Sequence, residues 1–326
     1  MLFISNGESA RGPLAADTQP VEAVHAAVWI DLLNPTDAER ALVERGTSLR
    51  VPSLEDLTEI ESSSRLNVER GSLYLSTPMG YLDADGMSHT KPLGFVLSAH
   101  VLMTVRFAES PVFDQYAARL AAYDHRPCSC EAFLGLLEAM VDRLADILEH
   151  LRTELDLISQ RVFRPEQPVT NSSKTDIQLR ATLRGIGRAG DRLSNLRDSL
   201  LGMQRIVQYA GDNAATFMPA TLQPRLGTLR QDIASLTDYD VQLSNKVQFL
   251  LDATLGFINI EQNNSIKILT VVSVVGVPPT LVASIYGMNF KWIPELQWEY
   301  GYFYGLAVIV LTAIIPYLWF KKKGWI

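Results

Sequence analysis

The chain has 326 residues, 20% of them charged, and a formal net charge of −7. The charged fraction is too high for a protein made mostly of membrane spans. The negative balance argues against a nucleic-acid partner and suits a protein that gathers cations. At this length we expect two or three structural units. Residues 1–7 have neither the basic start nor the long apolar core of a secretory signal.

Residues 1–125 alternate between strand and helix patterns and predict an α/β domain. Strands are predicted at residues 28–33, 72–77, 93–97 and 101–106, and helices at residue 38 and after residue 52. Residues 83–86, Asp-Ala-Asp-Gly, are a hairpin signal, and a plain turn is the simpler interpretation than a cation site. The domain has no glycine-rich phosphate loop and no nucleophile motif, and its histidines are scattered. We therefore expect no enzymatic activity.

The middle of the chain predicts a helical hairpin, over residues 126–219. One helix keeps an apolar face over residues 127–163, residues 164–173 break it, and a second runs from about residue 174 to 209. Cys128 and Cys130 are the only cysteines, and we expect both to lie reduced at the start of the first helix. A third helix begins near Pro224 and meets no stop signal before Gly287, a length of roughly 100 Å at 1.5 Å per residue.

The third helix enters a stretch without charge over residues 268–288, which is long enough to cross a lipid bilayer. Steps of three and four residues place its small and hydroxyl side chains on one face. This polar stripe consists of Thr270, Ser273, Val277, Thr280, Ser284 and Gly287. At membrane depth, polar side chains face protein or a water-filled cavity, so the stripe predicts a pore lining, with interhelical hydrogen bonding as the alternative.

The same stripe extends back toward the soluble part with a seven-residue period. Its members there are Asp238, Gln242, Asn245, Phe249, Asp252, Gly256, Asn259, Asn263 and Ile266. A solvated helix face would explain residues 238–263 equally well. The stripe predicts that Asp252, Asn259 and Asn263 line the inner end of the same path.

A second apolar segment follows at residues 302–320, with aromatic side chains near both ends. Lys321, Lys322 and Lys323 come directly after it, which places the C-terminus in the cytoplasm. Two crossings then place residues 1–265 in the cytoplasm as well. We expect a short external loop, residues 291–301, that carries Lys291, Glu295 and Glu299.

Three segments carry a family resemblance: Tyr286-Gly-Met-Asn-Phe290 at the outer end of the first membrane helix, the following Pro294-Glu-Leu296, and the ending Phe320-Lys-Lys-Lys-Gly-Trp-Ile326. Together they resemble the CorA family, the two-helix, Gly-Met-Asn divalent cation channels. The resemblance covers the chain, more loosely before residue 220. It implies a funnel-shaped homopentamer in a bacterial inner membrane, with an α/β cytoplasmic domain, a stalk helix over residues 220–290 and two transmembrane helices.

The resemblance also implies roles for individual residues. Gly287, Met288 and Asn289 would form a selectivity filter in which amide and carbonyl oxygens hold a hydrated divalent ion, most simply Mg2+. Val277 and Leu269 would be apolar rings that gate by dewetting. Asp252 would meet the ion on the inner side, and Glu295 and Glu299 would gather cations outside.

The sequence departs from the family at three positions. Lys291 follows the filter where many relatives carry an acidic or neutral residue, and Val277 stands where relatives often have Met. The acid that helps close Mg2+-gated relatives falls on Thr228, with Asp232 one turn later. These departures leave undecided whether the pore mouth attracts cations and whether cytoplasmic Mg2+ closes the pore.

Two other functions remain possible from the sequence. One is transport of Zn2+, Co2+ or Ni2+ on the same scaffold, with or without proton coupling, although no His or Cys follows His150. The other is a two-span membrane sensor that transports nothing, which would leave the polar stripe and Asn289 unexplained.

Overall fold

The computed structural model describes residues 1–5, 13–14, 21–59, 65–82, 88–123, 125–163, 172–214, 216–289 and 293–325, of which 13, 14, 82, 172–176 and 296 are described by their backbone alone. The chain divides into two compact units. The first combines Met1–Thr170 with Arg180–Leu251, and the second combines Asn171–Leu179 with Asp252–Ile326.

The first unit contains a seven-stranded sheet. Its strands are β1 (Leu2–Ser5), β2 (Pro13–Leu14), β3 (Trp29–Leu33), β4 (Leu66–Glu69), β5 (Ser72–Leu82), β6 (Ser88–Leu97) and β7 (Leu102–Arg106). They lie in the order β2-β1-β3-β7-β6-β5-β4. Only β3 and β7 pair in parallel; the other neighbours are antiparallel.

The helices follow the same chain order. They are α1 (Val21–His25), α2 (Asp37–Thr47), α3 (Leu54–Thr58), α4 (Pro111–Ala121), α5 (Ser129–Phe163), α6 (Ser172–Asn213), α7 (Gln223–Tyr286) and α8 (Gly301–Lys322). The predicted long helices are therefore confirmed, and α7 runs without a break to Tyr286. Helix α6, the second of the predicted long helices, begins at Ser172, two residues earlier than predicted. The predicted break after α5 lies mostly outside the described residues.

The strand predictions were right in position but too short for β5 and β6. These two strands pair from Leu73 opposite Leu97 to Leu82 opposite Ser88, so they form a long hairpin. The predicted turn at residues 83–86 lies outside the described residues. The sequence interpretation missed the helices α1 and α4, the short strand β1 and the two edge strands β2 and β4.

Local side-chain contacts explain why α2 and α3 begin where they do. Thr36 caps α2 in a capping box with Glu39, and Ser53 caps α3 in the same way with Asp56. The N-terminal ammonium of Met1 donates to the Leu33 carbonyl at 2.8 Å and to Glu39 Oε2 at 3.1 Å. Burial opposes ionisation of Glu39, but these donors outweigh it and lower its pKa.

The two faces of the sheet bury different helices. Ile30, Val96 and Met103 point to one face and pack with α2 and α3. Leu73 and Phe95 point to the other and share a core with α4 to α7. The predicted boundary at residue 125 therefore divides mixed α/β structure from helical structure, but residues on both sides of it share one hydrophobic core.

A buried ion pair ties the parallel strands together inside this sheet. Arg106 Nη2 lies 3.0 Å from Asp31 Oδ2, and both side chains are almost fully buried. Thr104 Oγ1 donates to Asp31 Oδ1 at 2.7 Å and accepts from Trp29 Nε1 at 3.1 Å. Arg106 also stacks over the Phe113 ring of α4. Because each charge has several partners, the network is tolerated in the core.

The two cysteines lie at the start of α5, as predicted. Cys128 is exposed, and its carbonyl accepts from the Ala132 N–H at 3.0 Å. Cys130 is buried, and burial raises the pKa of its thiol to about 12. A thiol held protonated in this way is a poor nucleophile and a poor metal ligand.

Candidate functional site

Helix α7 carries a buried stripe that anchors it to the first unit. Its members recur every three or four residues and are wholly or partly buried: Leu226, Leu229, Ile233, Leu236, Asp240, Leu243, Val247 and Leu250. Leu222, in the 3-10 turn just before the helix, continues the same series. All but Asp240 are apolar. This face holds the helix in place, while side chains on the opposite face are exposed.

The polar stripe occupies that opposite face. Asp238, Gln242, Asn245 and Phe249 are exposed, and the exposed positions continue through Asp252, Asn259 and Asn263. The ring of Phe249 stacks on Phe163 at the end of α5, with centroids 5.6 Å apart. The predicted pore-lining residues therefore share one accessible face of one helix.

Within the apolar stretch the stripe stays accessible to its outer end. Ser273, Thr280 and Ser284 are exposed and Thr270 is half-buried, while Val277 and Leu269 expose 61% and 68% of their surface. Thr270 Oγ1 donates to the Ile266 carbonyl and Thr280 Oγ1 to the Gly276 carbonyl, both at 2.8 Å. Their hydroxyl protons are thus used inside the helix, and the hydroxyl oxygens can accept from water.

Two prolines interrupt the backbone ladder beside Val277, and the sequence interpretation gave them no role. Pro278 and Pro279 lie inside α7. Because proline has no N–H, the carbonyls of Val274 and Val275 lack their usual helical donor. At membrane depth such carbonyls must find another donor or water. The sequence signal for these unpaired carbonyls was the Pro-Pro pair in the middle of an apolar run.

The predicted filter lies where α7 ends. Gly287 N–H donates to the Ala283 carbonyl at 3.0 Å and Met288 N–H to the Ile285 carbonyl at 3.2 Å, and Asn289 follows, exposed. The last carbonyls of a helix carry partial negative charge and favour a cation. The Asn289 amide oxygen adds a neutral ligand at the same end. Lys291 lies outside the described residues.

The segment after the filter contains a short 3-10 turn, Pro294–Gln297. Glu295 in this turn is half-buried, while Glu299 is exposed. Among the described residues no group of three or more His, Cys, Asp or Glu side chains could hold a metal ion. The candidate site within one chain therefore consists of one helix face, the end of that helix and two carboxylates in the segment that follows it.

Helix α8 ends in a defined cap beside its lysines. Gly324 takes a positive φ of 70°, and Trp325 N–H donates to the Phe320 carbonyl at 3.1 Å, which is a Schellman motif with a Phe320–Trp325 ring contact. Lys323 lies over the Trp319 ring at 4.7 Å. Aromatic rings with adjacent lysines are typical of a cytoplasmic membrane interface.

Within the part of the chain that the structure describes, two helices are long and apolar enough to cross a membrane: α7, counted with the 3-10 turn before it as Ala220–Tyr286, and α8, Gly301–Lys322. Their most apolar windows are 0% and 6% buried within the chain. Such surfaces are not stable in water, so lipid or other protein must cover them. The arrangement defines the class as a two-span membrane protein with a large α/β unit, in which one spanning helix carries a polar stripe.

The comparisons with known proteins agree with this class. The chain belongs to the family of CorA-like Mg2+ transporter proteins, whose profile matches residues 25–322. It is 32% identical over 304 residues to the magnesium transport protein CorA of Haemophilus influenzae, covering 93% of each chain. It is 34% identical over 303 residues to that of Salmonella typhimurium, covering 92% of each. The predicted family membership is therefore confirmed.

Solved structures confirm the predicted fold. The CorA magnesium transporter from Methanocaldococcus jannaschii matches with a TM-score of 0.76 and 18% identity, over 100% of this chain and 99% of that one. The full-length CmaX protein matches with a TM-score of 0.66 and 15% identity, over 99% and 97%. An α/β domain, long helices and two C-terminal apolar helices are common to the fold.

Proposed function

We propose that this protein carries Mg2+ across a bacterial inner membrane through the central pore of a homopentamer. One observation carries the proposal: the polar stripe of α7 stays accessible through the apolar segment and ends at Asn289. The names of the relatives, magnesium transport proteins, support Mg2+ as the ion.

The need for several copies follows from the chemistry of the stripe. A single helix cannot enclose water, and hydroxyls at membrane depth do not face lipid when they can line an aqueous path. Copies of α7 arranged around an axis would turn each stripe residue into a ring. Five copies is the number that the family resemblance implies.

In such a ring the outer end of α7 would form the filter. Mg2+ dehydrates reluctantly, so oxygen ligands that bind its water shell can select the ion without trapping it. The Asn289 amides and Gly287 carbonyls provide such oxygens, with Met288 between them. The uncharged ring lets the ion leave again.

Inward from the filter, the stripe is polar at Thr280, apolar at Val277 and polar again at Ser273. Rings of Val277 and Leu269 would form a dry constriction that opens by wetting. Asn263, Asn259 and Asp252 would then receive the ion on the inner side. Closure by cytoplasmic Mg2+ would act near Thr228 and Asp232, both exposed on α7.

The lysines at residues 321–323 set the orientation. By the positive-inside rule they support a cytoplasmic location for the α/β unit and the end of α8, with Glu295 and Glu299 outside. The two carboxylates would raise the local cation concentration at the mouth.

The filter is tested by Asn289→Ala in full-length protein reconstituted into liposomes. Mg2+ uptake should fall strongly, and Asn289→Leu should lower it further because it adds an apolar ring. Asn264→Ala is the matched control, since Asn264 is exposed and lies off the stripe. The mass of each variant in mild detergent should be that of a pentamer. A monomeric mass for the wild type would reject the pore, and unchanged uptake by a pentameric Asn289→Ala would reject the filter.

A further inference from the structure

The segment before α8 folds back onto the first turn of that helix. Trp298 N–H donates to the Glu295 carbonyl at 3.3 Å, and Gly301 N–H donates to the Trp298 carbonyl at 3.1 Å. The Trp298 ring contacts the Tyr304 ring edge-on, with centroids 5.7 Å apart. Two backbone hydrogen bonds and one ring contact thus fix the turn Pro294–Gln297 to α8.

Gly301 is the point of closest approach in this arrangement. A Cβ atom at position 301 would lie 1.9 Å from the Glu295 carbonyl oxygen and 3.1 Å from its carbon. Both atoms belong to the backbone, so no side-chain rotation could relieve the overlap. Only glycine lets the Glu295 backbone sit where it does, whereas a Cβ at Gly305, one turn later, would meet open space.

The position of Glu295 links this contact to the outer end of α7. Asn289 follows the last turn of α7, and Glu295 comes six residues after it, within the turn Pro294–Gln297. Glu295 is also half-buried, unlike the exposed Glu299. The turn therefore holds one carboxylate a few residues along the chain from the proposed filter.

We propose that Gly301 is a positioning residue that sets the Glu295 carboxylate at the mouth of the ion path and thereby sets the apparent affinity for the entering Mg2+. The assignment rests on the proposed function. A fixed carboxylate at a narrow mouth concentrates cations, and salt screens its effect. A carboxylate displaced into open water concentrates them less, because it is more fully hydrated and screened.

The test compares Gly301→Ala with Gly305→Ala in full-length protein reconstituted into liposomes, with Mg2+ uptake followed over a range of external concentrations. Gly301→Ala should raise the half-saturating Mg2+ concentration severalfold and leave the maximal rate nearly unchanged. Gly305→Ala should change neither quantity. High KCl should reduce the difference between Gly301→Ala and wild type.

A double-mutant cycle separates positioning from a general structural role. Glu295→Gln alone should raise the half-saturating concentration by a similar factor, and adding Gly301→Ala to it should change nothing further. Wild-type affinity in Gly301→Ala, full additivity in the double variant, or a lower maximal rate at unchanged affinity would each overturn the assignment. Unchanged Mg2+ affinity in Glu295→Gln would also overturn the assignment, even if the Gly301→Ala variant did not assemble. Uptake absent in the wild type would reject the proposed function and this assignment together.

Discussion

Two segments of one helix, residues 223–250 and 266–286 of α7, differ in what covers them. In the first, Ile233 and Leu250 are fully buried against other parts of the same chain. In the second, Val277 and Leu281 expose 61% and 60% of their surface. The first segment is thus covered by its own chain, while the second depends on lipid or other protein to cover it. The polar stripe runs along both, so its pattern does not follow from folding of the soluble core.

The sharpest test of this difference concerns which side of the membrane each segment reaches. A cysteine introduced at Gln297, beyond the second segment, should react with an impermeant thiol reagent in intact cells. Cys128, exposed in the first unit, should react only after the cells are made permeable. The expected effect is all or none, and mass spectrometry of the purified protein measures it. A Cys128→Ser background serves as the control. Labelling at position 297 only after permeabilisation would show that the topology is the reverse of the proposed one.

The first segment should respond strongly to loss of core contacts. Ile233→Ala removes a fully buried side chain and should lower the free energy of unfolding by about 2–5 kcal/mol. The measurement is thermal or denaturant unfolding of the detergent-solubilised protein. Asp232→Ala, exposed on the same turn, should change it by less than about 0.5 kcal/mol. Equal stability of the two variants would contradict the anchoring role of the buried stripe.

The second segment should respond in transport and little in the stability of the soluble unit. Val277→Ser replaces an apolar ring by a polar one and should raise Mg2+ uptake by roughly tenfold, if the dry constriction contributes about 1.4 kcal/mol to the barrier. Val275→Ser, about 200° away around the helix, is the matched control. Equal uptake in both variants, measured in liposomes, would remove Val277 from the gate.

The smallest effect concerns Asp240, the charged member of the buried stripe. Its Oδ2 accepts from Arg197 Nε at 2.8 Å, and its Oδ1 has no hydrogen-bond partner among the described residues. Burial raises the pKa of Asp240 above its ordinary value of 3.8, although Arg197 acts in the opposite direction. The native state then binds this proton more readily than the unfolded chain. The stability from this group is therefore present at low pH and lost as pH rises through the raised pKa.

Unfolding measured from about pH 4 to pH 8 should detect this contribution. Asp240→Asn should flatten the pH dependence of stability, because the residue no longer titrates. Asp238→Asn, exposed on the polar stripe of the same helix, should keep the wild-type dependence. Parallel curves for wild type and Asp240→Asn would show that the carboxylate is ionised throughout this range.

The sequence predicted those features that depend on local spacing. The length of α7, the two apolar helices and the stripe ending at Asn289 all follow from periodicity within one segment. Contacts between distant residues were not predictable in this way. From the sequence alone, an arginine at a strand end such as Arg106 would be expected to face water. In the structure it is buried against Asp31, which lies 75 residues earlier in the chain. The closeness of Gly301 to Glu295 likewise depends on how the turn folds back. In contrast, α4 was missed although Ser110 followed by proline is a local helix-start signal.

The parallel pairing of β3 with β7 has a consequence for how the protein is made. Thr104 must find Asp31, 73 residues earlier, before the middle of the sheet can close. The helical side of that core is complete only when residues 223–250 of α7 have left the ribosome. The first membrane segment follows within about twenty residues, a second or more of synthesis at typical rates. Folding of the first unit and delivery of the nascent chain to the membrane must therefore overlap in time.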